Sequence, residues 1–136
     1  MNAEHDQILV VDFGSQVTQL IARRIRELSV YCEIHPFNSI DASFLERFKP
    51  KGIILSGGPA SVHGAEAPAA HDSIFELNVP ILGICYGEQT LVQQLGGDVQ
   101  ASDHREFGRA FVEIKKSCSL FENIWTPGNR YEVWMS

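Results

Sequence analysis

A chain of 136 residues is long enough for one domain with its own core, and 44% apolar with 21% charged residues is ordinary for a globular protein. A net charge of −6 argues against a nucleic-acid partner, and no run approaches the ~20 apolar residues of a membrane span. The polar, acidic start Met1-Asn-Ala-Glu-His-Asp6 is unlike a signal peptide, and three widely spaced cysteines (Cys32, Cys85, Cys118) match neither a disulfide framework nor a zinc site. A reducing cytoplasm with free thiols and no bound metal is the expected setting.

Apolar runs alternate with amphipathic ones, the pattern of an α/β protein with an open, mostly parallel twisted sheet flanked by helices. Residues 8–13 (Ile-Leu-Val-Val-Asp-Phe) predict a first strand. Val17, Leu20, Ile21, Ile25 and Leu28 follow at helical spacing, with Arg23, Arg24, Arg26 and Glu27 as a solvated face. Residues 31–35 predict a second strand, and Ser39 or Asp41 caps a short helix reaching about Phe48. Gly52 to Leu55 predicts a third buried strand that runs into the turn Ser56-Gly-Gly-Pro59. Residues 60–71 read as a surface loop, and a helix is expected near Ser73–Leu77. Pro80 to Ile84 is the next strand. Beyond Gly96-Gly97, Arg109 to Ile114 alternates and is expected to be antiparallel, Ser119 opens a capping box with Glu122, and Tyr131 to Met135 is strand-like.

The chemistry concentrates in Ile81-Leu-Gly-Ile-Cys-Tyr-Gly-Glu-Gln-Thr90. A strand, a cysteine and a helix start are flanked by Gly83 and Gly87, the cysteine form of a nucleophile elbow. Glycines at ±2 remove the Cβ atoms that would crowd such a turn, and a helix N-terminus suits thiolate chemistry. Cys85 is the candidate nucleophile, while Cys32 and Cys118 lack such context and read as structural. Attack on a carbonyl needs oxyanion donors. The Tyr86 N–H is one candidate. Gly57 or Gly58 is the other, since Ser56-Gly-Gly-Pro59 lies at the carboxyl end of a neighbouring strand, though a plain turn explains that spacing about as well. Gln89, one helical turn after Cys85, shares its face and suits a substrate amide, or is simply a helix former at an exposed position. His5, His35, His63, His71 and His104 show no neighbouring carboxylate that orients a base, so each reads as a solvated histidine.

These motifs resemble the class I glutamine amidotransferases, whose pattern is G-[IVL]-C-x-G-x-Q with an upstream G-G-P loop. Val11-Asp-Phe-Gly-Ser-Gln16, Thr18-Gln-Leu-Ile-Ala-Arg-Arg24, Leu95-Gly-Gly97, Arg105-Glu-Phe-Gly108 and Val133-Trp-Met-Ser136 are similar, more narrowly, to the members that feed a purine-nucleotide synthetase. The resemblance spans nearly the whole chain. It implies a flavodoxin-like sheet with antiparallel strands toward the C-terminus. It implies that Cys85 forms a glutamyl thioester from glutamine, with Gly58 and Tyr86 N–H groups as the oxyanion hole. Gln89, Gly57, Phe107, Trp134 and Ser136 would contact glutamine, the last three mainly through backbone.

The family's histidine and glutamate lie in a His-Pro-Glu motif that does not occur in these 136 residues. The expectation is an amidotransferase domain over 1–136, incomplete at its C-terminus and without turnover by itself. Its partner is a synthetase domain or separate synthetase chain, not among these residues, which uses ATP and magnesium, and the whole enzyme is expected to be a homodimer. The weighed alternatives are an amidotransferase serving another synthase, a cysteine hydrolase on a similar elbow, and a docking module with an idle elbow.

Overall fold

Leu9, Val10 and Val11 present apolar side chains to both faces of strand β1 (Gln7–Asp12), and all three are fully buried. A strand of this kind is stable only where the sheet is covered on two sides. The structure, a computed structural model, describes residues 5–58, 66–100 and 108–135. Two compact units are present, Met1–Val99 and Gln100–Ser136.

In the first unit, four parallel strands lie in the order β2-β1-β3-β4, with β2 at Tyr31–Pro36, β3 at Gly52–Leu55 and β4 at Ile81–Gly83. Asp12 is level with Pro36, Val11 with Leu55, and Leu55 with Gly83, so the strands end along one edge. The chain leaves β1 toward β2 on one side and returns to β3 on the other. That reversal makes the carboxyl ends of β1 and β3 the switch point where open α/β sheets bind ligands.

Separate clusters cover the two faces. Val10, Ala22 and Cys32 pack under helix α1 (Val17–Glu27), joined by Ile21 and Ile25. On the other face Leu9, Val11, Ile53 and Leu55 meet Leu45 of helix α2 (Ala42–Phe48) and Ile74. Helix α3 (Tyr86–Gln94) follows β4 and contributes Tyr86 and Leu91 to the same cluster.

Several local expectations shift. Thr18, Ile21, Ala22 and Ile25 turn toward the sheet in α1, while Val17, Leu20 and Leu28 are exposed. The buried stripe is one residue round from the purely apolar one, because small Thr18 and Ala22 let the helix approach closely. Asp41, not Ser39, caps α2 by accepting the Phe44 N–H at 2.8 Å. The helix expected near Ser73–Leu77 is a 3-10 turn at Asp72–Glu76, with His71 Nδ1 accepting the Ser73 N–H at 3.2 Å. Five residues are too few for an α-helical ladder to stand alone. The Ser119 capping box does not form: Ser119 is the first residue of a three-residue 3-10 turn, preceded by Cys118 with no side-chain cap.

In the second unit β5 (Gly108–Glu113) and β6 (Arg130–Met135) pair antiparallel, as the alternation predicts. Trp125 stacks on Tyr131 at 5.3 Å and meets Phe121 at 5.5 Å, which closes the connection between the strands. Among the described residues no helix is long and apolar enough to cross a membrane.

His35 corrects the reading of a solvated side chain. It is half-buried on edge strand β2, edge-on to Phe44 at 4.6 Å, with Nε2 3.0 Å from the Glu33 carboxylate. The Glu33 carboxylate also accepts the Tyr31 hydroxyl at 2.6 Å. Residues i and i+2 share a strand face, so Tyr31, Glu33 and His35 form one row. The Tyr31 hydrogen bond, with a smaller contribution from His35, holds Glu33 below its ordinary value of 4.5. A lowered carboxylate pKa stabilises the fold above the unfolded value, and that stabilisation is lost as pH falls through the folded one. The pair is partly exposed, so the magnitude is that of a surface pair, about 0.5 kcal/mol. Chemical denaturation should therefore find wild type more stable than Glu33→Gln at neutral pH, with the gap closing as pH falls below 4.5.

Candidate active site

β4 ends at Gly83 and α3 begins at Tyr86, so Ile84 and Cys85 make the whole turn. Cys85 stands at the N-cap with φ 54° and ψ −119°, a conformation that costs a residue with a Cβ of order 1–3 kcal/mol. Its side chain is exposed. The Cys85 carbonyl accepts the N–H groups of Glu88 (3.0 Å) and Gln89 (3.2 Å), and the Ile84 carbonyl accepts that of Gly87 (3.0 Å). Helix geometry leaves the Tyr86 N–H without a partner inside α3.

The two glycines meet different constraints. A Cβ on Gly87 would lie 1.9 Å from the Leu55 carbonyl oxygen, so α3 starts directly against the end of β3. A Cβ on Gly83 would lie 2.6 Å from Glu88 Cα, so the strand folds back onto the first turn of its own helix. The Ile84 N–H donates to Leu55 O at 2.9 Å and completes the junction.

The turn after β3 lies beside this elbow. A Cβ on Gly57 would stand 3.0 Å from Ser15 Oγ and 3.9 Å from Cys85 Cβ. One on Gly58 would stand 2.7 Å from Phe13 Cβ and 3.0 Å from Tyr86 Cδ1. Phe13 and Tyr86 pack ring against ring at 5.4 Å. Only bare backbone fits between the β1–α1 loop and the elbow. The Tyr86 hydroxyl donates to the Pro68 carbonyl, and burial pushes its pKa up. A thiol at a helix start beside close-packed glycine backbone suits attack on a carbonyl carbon.

Cys85, Gly57, Gly58 and Tyr86 are thus neighbours. Gln89 is exposed on the first turn of α3, one turn from Cys85, as its spacing predicts. Trp134 lies on β6 in the second unit and is exposed, while Phe107 and Ser136 lie outside the described residues, as do His63, His104 and Pro59. His35 is on β2, three strand spacings or roughly 14 Å across the sheet from β4. Among the described residues no group of three His, Cys, Asp or Glu is placed to hold a metal. Cys32 is buried with Sγ 3.5 Å from Ala22 O, whereas Cys118 is exposed rather than packed. Sequence reasoning missed Thr18 and Ser56, whose hydroxyls meet at 2.8 Å under the turn. The available signal was a serine closing the apolar run Gly52-Ile-Ile-Leu55.

Two stability measurements check this geometry. Gly87→Ala should cost about 3 kcal/mol or more, because the obstructing atom is backbone of a central strand. Cys85→Gly should be more stable than Cys85→Ala by about 1 kcal/mol, since only glycine escapes the strained φ. Equal stability of the two Cys85 variants would contradict the strain.

The family model described as glutamine amidotransferase class-I matches residues 9–136. A GMP synthase [glutamine-hydrolyzing] of Nitrobacter hamburgensis is 65% identical over 97% of this chain, and one of Rhodopseudomonas palustris is 63% identical over 98%. The chain spans only 24% and 25% of those proteins, about a quarter of the curated relatives it matches. A solved structure from Thermoplasma acidophilum, described as one subunit of a GMP synthase, superposes with a TM-score of 0.72 at 32% identity, covering 98% of this chain and 65% of that one. A glutamine amidotransferase structure from Thermotoga maritima, 19% identical, shares the fold with a TM-score of 0.65 over 97% of this chain and 60% of its own. A family match over nearly every residue, on an elbow built as that family's pattern requires, leaves one conclusion: the chain belongs to the class I glutamine amidotransferases.

Proposed function

We propose that this chain is the glutamine-hydrolysing part of a GMP synthase, with Cys85 as its nucleophile. The observation that carries the reading is the strained, exposed Cys85 set against the Gly57–Gly58 turn. Cys85 Sγ attacks the side-chain amide carbon of glutamine, forming a C–S bond and placing charge on the amide oxygen. The N–H groups of Gly58 and Tyr86 receive that charge. Collapse breaks the C–N bond and ammonia leaves with an added proton. Water then adds to the thioester, the C–S bond breaks, and glutamate and the thiolate are released.

Gln89 orients the glutamine, and Gly57 keeps the approach to Sγ open. Phe107, Trp134 and Ser136 enter through the family pattern, as backbone contacts to the substrate. Delivering the proton to the leaving nitrogen is the task of the family's histidine and glutamate, and no His-Pro-Glu run occurs in these 136 residues. The ammonia serves a synthetase domain or separate synthetase chain, where ATP and magnesium activate xanthosine monophosphate for amination. The chemistry needs a free thiol and so a reducing compartment, the cytoplasm.

The test uses a glutamine analogue whose amide is replaced by a chloromethyl ketone. Mass spectrometry should find Cys85 alkylated with saturable kinetics, protected by glutamine, and unlabelled in Cys85→Ser. Exposed Cys118 is an internal control and should react slowly without saturation. Equal, unsaturable labelling of Cys85 and Cys118 would overturn the reading. Steady-state ammonia release from these residues alone should fall several orders of magnitude below that of a full-length relative.

A further inference from the structure

Asp12-Phe-Gly-Ser-Gln16 marks this chain by sequence, yet no step of the thiol chemistry uses it. Its contacts suggest what it holds. The Asp12 carboxylate accepts the Gly14 N–H at 2.7 Å and turns the chain after β1. Phe13 then occupies the space beside Gly58, and Ser15 the space beside Gly57. Beneath lie two buried hydroxyls, Thr18 on the first turn of α1 and Ser56 just past β3, with oxygens 2.8 Å apart.

Their hydrogens can be assigned. Ser56 Oγ is 2.6 Å from the Val11 carbonyl oxygen, which can only accept. Ser56 therefore donates to Val11 and accepts from Thr18. Thr18 Oγ1 is also 3.3 Å from Asp12 Oδ1, but it carries one hydrogen and the shorter contact takes it. The Ser56 N–H reaches the same Val11 oxygen at 3.1 Å. Residue 56 is thus held through its backbone and its side chain, between β1 and α1. Its orientation sets where Gly57 and Gly58 begin. A buried donor chain with every member satisfied permits one arrangement and penalises others.

We propose that the Thr18–Ser56 hydroxyl pair is a positioning device that holds the Gly57–Gly58 turn at oxyanion distance from Cys85. The proposal rests on the reading of Gly58 and Tyr86 as the oxyanion donors. A pair that merely stabilised the fold would leave the reactivity of the thiol toward different reagents in constant proportion. A positioning pair would not, because only a reagent with a carbonyl that gains charge depends on the turn.

The experiment compares two reagents on the 136-residue chain. The glutamine chloromethyl ketone adds to the thiolate at its carbonyl before sulfur displaces chloride, and so uses the oxyanion donors. Iodoacetamide reacts by direct displacement of iodide and does not. Thr18→Val and Ser56→Ala should each lower the saturating rate constant for the chloroketone about tenfold, the scale of a small misplacement. The half-saturating concentration and the iodoacetamide rate should stay within about twofold. Thr18→Ser, which keeps the hydroxyl, should restore the chloroketone rate. Wild-type chloroketone rates in Thr18→Val and Ser56→Ala would overturn the proposal, and so would a parallel fall with iodoacetamide. Loss of the folded circular-dichroism spectrum in Thr18→Val also counts against it, since a positioning pair is removable without loss of the fold. Unsaturable chloroketone labelling of wild type is a separate result, which strikes the glutamine reading before any variant is made.

Discussion

The contact on which this site depends is backbone against backbone: the Leu55 carbonyl oxygen stands where residue 87 would carry its Cβ. The same oxygen accepts the Ile84 N–H. One atom at the end of β3 therefore fixes both sides of the elbow, the strand entering it and the helix leaving it. With the entry and exit held, two residues must reverse the chain, and Cys85 absorbs the reversal in its φ and ψ. The strain at Cys85 follows from the closeness of α3 to β3. Because β3 also carries the Ser56–Gly58 turn, that closeness brings the turn to the thiol.

The site is consequently a property of the sheet edge. Parallel register brings Asp12, Leu55 and Gly83 to the same end, and three loops leave there side by side. Each supplies something different. The loop after β1 supplies packing, through Phe13 and Ser15. The loop after β3 supplies bare backbone, and the loop after β4 supplies the thiol. Phe13 touches the space of Gly58 and the ring of Tyr86 together, and Gly58 also lies against that ring, so the spacing of the two oxyanion candidates is set by one three-way packing contact. A packed interior transmits such spacing because it has few alternative arrangements.

Local patterns carried much of this. Strands one to four were legible because buried parallel strands read as short apolar runs bounded by turn residues. The elbow was legible because a strained turn restricts residue type at fixed offsets. Other features were hidden for physical reasons. The buried stripe of α1 uses Thr18 and Ala22, which hydropathy alone ranks below the exposed Leu20 and Leu28. His35 gains its carboxylate from Glu33, two residues earlier, and a solvated face looks the same in sequence until the strand places both on one side. The Ser119 capping box failed because the turn it would open is only three residues long.

The sequence by itself determined the fold class, the strand–cysteine–helix elbow and the family, since these rest on residue types at short, fixed spacings that backbone geometry enforces. Tertiary structure decided what those residues meet. Gly83 and Gly87 look equivalent in the chain, yet one clears its own helix and the other clears a different strand. Thr18 and Ser56 are 38 residues apart and meet only after three strands have aligned. Spacing encodes contacts within a turn or a helix. Contacts across a sheet depend on register and strand order, which are set by the whole core at once.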